Sequence, residues 1–208
     1  NGCILANSSV VPVTGPGLLK KSPFYLADPR FPLFMRWSYL PKLLPWLIKY
    51  MSNANEGDTR RISQGLTTIV SDSLEQHKAL TAHTSAAKWV QESNYSFAYT
   101  DRAAYDAEAF TWQLRREAGF VPELIEGAAV QEEEPILGPN TRLLAVLKGH
   151  GYILSPGLYV QDLVTLLKEL GGKFVQAEVK DFALDNGKVT AVDTSNGRFH
   201  CDKAIVSS

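Results

Sequence analysis

The chain has 208 residues, of which 45% are hydrophobic and 21% are charged, and its formal net charge is −1. This composition allows a sizeable hydrophobic core, and so balanced a charge excludes the strongly basic surface typical of nucleic-acid-binding proteins. The two cysteines, Cys3 and Cys201, form no Cys-x-x-Cys pair. A disulfide framework is therefore excluded, and no metal site is expected.

The first quarter of the chain is rich in proline. Seven prolines between Pro12 and Pro45 rule out one long helix and favour short helical pieces. Residues 37–51 form the most apolar stretch, but they are too few to span a bilayer, and Lys42 and Lys49 interrupt them. Two interpretations stay open: a helix that covers the core of a domain, or a helix at a membrane interface, where Trp, Tyr and Lys accompany Leu and Ile.

The middle of the chain begins with a helical pattern. Apolar residues recur at helical spacing over residues 58–80, which predicts one helix capped by Asp58 or Thr59. His77 falls on the apolar stripe of this helix, so we expect a hydrogen-bonded core histidine there rather than a metal ligand or a base.

Two strands and a second helix follow. Asp101 is predicted to cap a helix over residues 102–118, and residues 142–153 form an apolar, β-like stretch. Residues 89–99 alternate, which predicts a strand with three aromatic side chains on one face: Tyr95, Phe97 and Tyr99.

The last quarter of the chain starts with a helix and a strand. Ser155 suits a helix N-cap and Pro156 the first helical position, while Gly171-Gly172 is predicted to end this helix. Residues 173–179, KFVQAEV, then alternate as in a strand.

A meander and a final strand complete the sequence. Asn186-Gly187 and Asn196-Gly197 predict two hairpin turns, which fold the segments around them into three antiparallel strands. The apolar run over residues 204–206 predicts a buried strand.

This order of helix, strand, meander and buried strand resembles the FAD-dependent D-amino-acid oxidase and dehydrogenase family, most closely its bacterial D-amino-acid dehydrogenase group. That family begins with a strand, a glycine-rich turn and a helix that hold the pyrophosphate. The sequence contains no Gly-x-Gly-x-x-Gly motif. We therefore expect the chain to be an internal fragment of a larger flavoprotein, inactive on its own.

The resemblance implies an α+β fold. Residues 1–156 would form mainly the substrate-binding region of a two-domain flavoprotein, with helices and a mixed sheet, and residues 157–208 would form part of the FAD-binding domain. The implied activity is FAD-dependent oxidation of D-amino acids, or related amines, to imino and keto acids. The partner would be a small amino acid or amine.

Related dehydrogenases pass electrons to membrane quinones. The resemblance thus implies a cytoplasmic protein, peripheral on the inner face of the membrane, with a quinone as a possible electron acceptor. The alternative is a non-catalytic module that binds a membrane or a partner through residues 37–51.

The resemblance also implies the residues that contact FAD. The first three residues would pass beneath the isoalloxazine ring, although a plain loop is the alternative. Val179 would pack its side chain inward and present its backbone, at a strand end, to the adenine. The candidate cofactor-binding residues are Asn1, Gly2, Cys3, Val179, Ser207 and Ser208.

Three further residues are candidates for substrate binding. In the family, a glycine-rich strand at the position of residues 142–153 enters the active site, which indicates His150 and Tyr152. The aromatic strand belongs to the substrate domain, which indicates Tyr95. A structural role is the alternative for all three, and the sequence identifies no catalytic residue.

Overall fold

A computed structural model of the chain describes residues 3–16 and 37–207. The chain divides into two compact units, Asn1–Val160 and Gln161–Ser208. In the described part of the chain, every helix is too short or too polar to cross a membrane.

The first unit is built around one long central strand. Four strands form its antiparallel sheet: β1 (Ile4–Leu5), β2 (Val90–Tyr99), β3 (Glu123–Glu126) and β4 (Leu143–Ile153). β2 pairs with β4 along its whole length, whereas β3 and β1 pair with successive parts of the other edge of β4. The aromatic strand therefore pairs with the glycine-containing strand, and the sheet that was expected to be mixed is antiparallel in all of its described pairings.

Seven α-helices and two 3₁₀ helices occur among the described residues. The 3₁₀ helices are Trp37–Tyr39 and Ser85–Trp89. The last α-helix begins in the first unit and continues into the second. The α-helices are α1 (Leu40–Ser52), α2 (Glu56–Val70), α3 (Ser73–Thr81), α4 (Arg102–Asp106), α5 (Ala109–Glu117), α6 (Ala129–Glu133) and α7 (Pro156–Glu169).

The helix predicted over residues 58–80 is two helices, α2 and α3. Asn55, rather than Asp58 or Thr59, caps α2, because its side-chain oxygen accepts the Asp58 N–H at 2.9 Å. The Leu74 N–H, in the first turn of α3, donates to the side-chain oxygen of Asn7 at 3.2 Å. A contact with a residue 67 positions away therefore stabilises a new helix start that the local pattern does not show.

The helix predicted over residues 102–118 is also two helices. Asp101 caps α4 as predicted, accepting the Ala104 N–H at 2.8 Å. The helix breaks at Glu108, whose backbone leaves the helical region with φ −99° and ψ 20°. Gly119, with φ +92°, follows the end of α5.

The core of the first unit lies on both faces of β4. Successive residues of this strand point to opposite faces, and all of Leu143–Leu147 are buried. Leu143, Ala145 and Leu147 pack with Tyr105 of α4 and Trp112 of α5. On the other face, Leu144 and Val146 pack with Val130 of α6.

The second unit contains the predicted meander. β5 (Val179–Asp185), β6 (Lys188–Thr194) and β7 (Gly197–His200) pair in antiparallel order. Asn186 and Gly187 both have positive φ, 49° and 76°, as a type I′ hairpin turn requires. Ala191 is the one buried residue among the described residues of this unit.

Two strands predicted for the second unit are not observed. Residues 173–178 and 203–207 form no strand, because a strand needs a hydrogen-bonded neighbour and none pairs with them among the described residues. The run 204–206 is exposed rather than buried, with Ile205 at 94%. Val179 does not pack inward either: its side chain is 54% exposed, and it lies opposite Thr194 in the β5–β6 ladder rather than at a free strand end.

Candidate functional site

His150 is the most completely buried of the predicted site residues, with 1% of its surface exposed. The backbone N–H of Ser8 donates to His150 Nε2 at 3.1 Å, and the Ser8 hydroxyl lies 2.8 Å from the same atom. His150 Nδ1 lies 3.1 Å from the Lys148 carbonyl oxygen. One neutral tautomer, protonated at Nδ1, satisfies all three contacts, because a nitrogen that accepts a backbone N–H carries no proton.

Burial lowers the pKa of His150, and the hydrogen bond to the Lys148 carbonyl opposes this effect only in part. The ring is therefore neutral at neutral pH, and both of its nitrogens are occupied. This arrangement suits a residue that positions the chain around it rather than one that transfers a proton.

Asn7 and Ser8 together form a clip that fastens the N-terminal segment to β4. The Asn7 side-chain amide donates to the Gly149 carbonyl at 3.1 Å and accepts from Leu74 of α3. Gly151 allows this close packing: a Cβ there would lie 2.5 Å from the Gln91 carbonyl oxygen and 2.6 Å from Leu74 Cδ1. The Asn7–Ser8 clip thus fixes where residues 9–16 leave the sheet.

Tyr95 lies against His150. The two rings stack with centroids 5.6 Å apart and an interplanar angle of 17°, and Phe97 meets Tyr95 edge-on at 5.0 Å. Tyr152 is partly exposed and pairs with Ile4 of β1. The structure brings Tyr95 and His150 together, whereas the substrate-binding role of all three candidates stays a prediction.

A cleft of about 580 Å³ opens on the helix-covered side of β2. Its walls come from the segment that follows the clip, the end of β2, α2 and α5. The lining mixes apolar residues with polar ones, among them one cation and one carboxylate. The lining residues include Val11, Val13, Tyr99, Glu108, Phe110 and Arg115.

Arg115 is the cation of this cleft. Its guanidinium lies over the rings of Phe97, at 4.4 Å, and Trp112, at 4.7 Å. Its Nε and Nη1 atoms are buried and have no hydrogen-bond partner among the described residues. Burial lowers the pKa of Arg115, and the neighbouring Tyr99 and Glu108 oppose this.

At Arg115 the cost of unpartnered buried donors exceeds the stabilisation from its cation–π contacts. A cation–π contact stabilises by about 0.5–2 kcal/mol, but each buried donor left without a partner costs about 1–3 kcal/mol, and more when it is charged. The two ring contacts therefore do not replace the hydrogen bonds that this guanidinium has lost. The sequence pattern did not predict that Arg115 is buried, because an arginine in an amphipathic helix ordinarily faces water.

Tyr99 and Glu108 form a hydrogen-bonded pair at the same cleft. The Tyr99 hydroxyl donates to Glu108 Oε2 at 2.7 Å and accepts from Trp112 Nε1 at 3.0 Å. Burial, with the nearby carboxylate, raises the pKa of Tyr99 to about 12. Tyr99 is thus a protonated, fixed donor that keeps Glu108 at the cleft wall.

Comparison with known proteins identifies the family. The family model described as FAD dependent oxidoreductase matches residues 37–208. The chain belongs to this family. It is also 33% identical over 205 residues to a D-amino-acid oxidase of Bradyrhizobium diazoefficiens, covering 98% of this chain and 48% of that protein. The chain therefore spans about half the length of this curated relative.

Solved structures share the fold of this chain. A glycine oxidase from Bacillus cereus superposes with a TM-score of 0.55 and 21% sequence identity. The superposition covers 67% of this chain and 40% of the glycine oxidase chain. A glycine oxidase from Geobacillus kaustophilus superposes with a TM-score of 0.52 and 15% sequence identity. That superposition covers 96% of this chain and 42% of the glycine oxidase chain. The α+β fold expected from the sequence is confirmed.

The family uses FAD, as predicted, whereas the contacts of individual residues with it stay predictions. Asn1, Gly2 and Ser208 lie outside the described residues. The Cys3 carbonyl accepts the Ile153 N–H at 2.6 Å, and Val179 and Ser207 lie in the second unit. The sequence contains no Gly-x-Gly-x-x-Gly motif, the signature of the turn that binds pyrophosphate in dinucleotide folds.

Proposed function

We propose that the protein acts in the FAD-dependent oxidation of D-amino acids, or related amines, to imino acids that hydrolyse to keto acids. The observation that carries this proposal is the 33% identity to a D-amino-acid oxidase along nearly the whole chain. Because the chain spans about half of that relative, the activity is proposed for the whole protein.

The flavin would accept the hydride from the substrate in such a reaction. This chain would contribute binding, orientation and exclusion of water. Tyr95, Tyr152 and the residues that His150 holds in place are proposed to line the substrate side. His150 itself would act by fixing the clip, since its two ring nitrogens are occupied.

The two parts of the chain are proposed to divide these tasks. Residues 1–156 would form the substrate-binding region, and residues 157–208 would belong to the FAD-binding domain, with cofactor contacts at Cys3, Val179 and Ser207 and at three residues outside the described part: Asn1, Gly2 and Ser208. The exposed apolar side chains in residues 173–179, including Val175 and Val179, support a role for this segment in a larger sheet.

The full-length protein, purified with FAD, tests the function. D-amino acids should bleach the flavin absorbance under anaerobic conditions, whereas their L-enantiomers should not. Oxygen uptake would then identify an oxidase, and reduction of an added quinone or dye without oxygen uptake a dehydrogenase. Bleaching by L-enantiomers alone, or by no amino acid or amine, would overturn the proposal.

The surface of α1 favours a second candidate function, contact with a membrane. Leu44, Trp46 and Ile48 are exposed, and Lys42 and Lys49 lie on the same helix. Apolar and aromatic side chains beside lysines suit the interface of an anionic bilayer. We propose a cytoplasmic protein that binds the inner face of the membrane through α1, where a quinone could accept electrons.

Sedimentation with vesicles tests the membrane contact. The protein should pellet with vesicles that contain phosphatidylserine, and the double variant Trp46→Ser, Ile48→Ser should stay in the supernatant. A matched variant on another exposed helix face, Ile69→Ser in α2, should pellet like the original protein. Equal sedimentation of the α1 variant and the original protein would exclude α1 as the contact.

A further inference from the structure

We propose that the cleft at Arg115 binds a carboxylate carried on a small apolar body. No part of the proposed flavin reaction requires this site, and the proposal does not rest on that reaction. The ligand would place its carboxylate against the guanidinium of Arg115 and its apolar part against Val11, Val13 and Phe110.

The first argument is the state of the guanidinium. Arg115 Nε and Nη1 have neither a partner among the described residues nor appreciable exposure to water. A planar guanidinium satisfies its donors best with a carboxylate or phosphate, which it meets with two parallel hydrogen bonds. Arg115 lines the cleft, so an anion bound there would contact the part of its guanidinium that faces the cleft.

The second argument is the rigidity of the group. The rings of Phe97 and Trp112 hold the guanidinium, and Trp112 is itself fixed by its hydrogen bond to Tyr99. Phe97 in turn meets Trp112 edge-on at 5.1 Å. A cation held in one orientation loses little conformational freedom when a ligand arrives.

The third argument is the shape and chemistry of the cleft. Its volume of about 580 Å³ falls in the range of small-molecule sites. Val11, Val13 and Phe110 offer an apolar body a contact surface that inorganic phosphate would not use. Glu108 lies at the same cleft. An amino acid could present its ammonium group there, whereas a plain carboxylic acid would not use Glu108.

Experiment can decide whether the ligand that carries the carboxylate is a plain carboxylic acid or an amino acid. Titration calorimetry on the full-length protein would use 3-phenylpropanoate as the plain acid and L-phenylalanine as an amino acid that the proposed reaction does not consume. The neutral probe is 3-phenylpropanamide. We expect saturable binding of at least one acid and at least tenfold weaker binding of the amide, since a charge-assisted contact is lost.

Variants of Arg115 supply the decisive comparison. Arg115→Gln should weaken binding of the acid about tenfold or more and leave binding of the amide unchanged. Arg61→Gln is the matched control, because Arg61 is exposed and pairs with Asp58 on the surface of α2; it should leave both affinities unchanged. Glu108→Gln should weaken binding of phenylalanine only, if the ligand is an amino acid.

One rival occupant can be tested directly. Asp28 is the one acidic residue among residues 17–36. If its carboxylate paired with Arg115, Asp28→Asn would strengthen binding of the acid and Arg115→Met would lower the thermal midpoint. We expect neither change, because Arg115→Met would remove an unpartnered buried charge. Either change, or equal binding of acid and amide, would overturn the proposal.

Discussion

The two units of this chain contain the same kind of antiparallel strands but differ sharply in burial. In the first unit β4 is covered on both faces, and five successive residues, Leu143–Leu147, are inaccessible to water. In the second unit the strands are paired equally well, yet Ala191 alone is buried among its described residues. Strand pairing and turn chemistry therefore suffice to define a meander, whereas a core requires elements that cover it.

The largest expected effect follows from the core of the first unit. Trp112→Ala should lower the free energy of unfolding by about 3–5 kcal/mol, because it leaves a cavity under the sheet and removes the hydrogen bond to Tyr99. Urea unfolding followed by circular dichroism would measure it. In the second unit Phe199→Ala should cost under about 1 kcal/mol, because Phe199 is already exposed. Similar losses for the two variants would contradict the contrast in burial.

A smaller loss is expected at the Asn7–Ser8 clip. Asn7→Ala leaves the Leu74 N–H and the Gly149 carbonyl without their partner, so we expect a loss of about 2 kcal/mol in chemical unfolding. Asn196 is the matched residue of the second unit, where its amide donates to the exposed Gln176 carbonyl. Asn196→Ala should change stability by less than about 0.5 kcal/mol. A larger effect at Asn196 than at Asn7 would argue against the clip.

His150, which holds the clip, should make the stability of the folded protein depend on pH. The folded protein lowers the pKa of His150 below its ordinary 6.5, so the unfolded chain binds more protons once the pH falls below about 6.5. Stability from this residue is therefore complete above that pH and is lost as the pH falls toward the folded pKa. Denaturation midpoints between pH 5 and 8 should show this fall, and His150→Gln should reduce it. His83→Gln serves as the control, and a fall unchanged in His150→Gln would exclude His150 as its source.

The smallest effect is expected at the first hairpin of the second unit. Gly187→Ala places a side chain at φ +76°, which costs about 1 kcal/mol. Because little is buried around the meander, we expect faster hydrogen exchange in β5 and β6 with the core of the first unit unchanged. Gly157→Ala, at a helical glycine with open space around its Cα, should not accelerate exchange. Exchange that rose equally in β4 would show that the two regions unfold together.

Local chemistry predicted much of this fold. The alternating aromatic residues of β2, the two Asn-Gly turns and the cap at Asp101 all act over a few residues, and the structure has them as expected. The predicted α+β class follows from these elements together with the family resemblance.

The features that the sequence did not predict depend on contacts between residues far apart in the chain. The start of α3 depends on Asn7, and no pattern within residues 58–80 could show it. Residues 173–178 alternate like a strand, but a strand forms only beside a neighbour. Arg115 resembled any surface arginine until Phe97 and Trp112 were seen to enclose it. The contacts predicted for the cofactor and the substrate remain predictions.

The clip has a consequence for the order of folding. Ser8 and His150 are separated by 142 positions, so their hydrogen bond closes one of the longest loops in the chain. The hairpin and helix contacts nearby in sequence should form first, and the N-terminal segment should dock last. Asn7→Ala should accordingly speed unfolding and leave the refolding rate almost unchanged in stopped-flow measurements. Until that docking occurs, the Leu74 N–H lacks its bond to Asn7, which stabilises the start of α3. While the N-terminal segment is undocked, we therefore expect one longer helix that continues across residues 71–72.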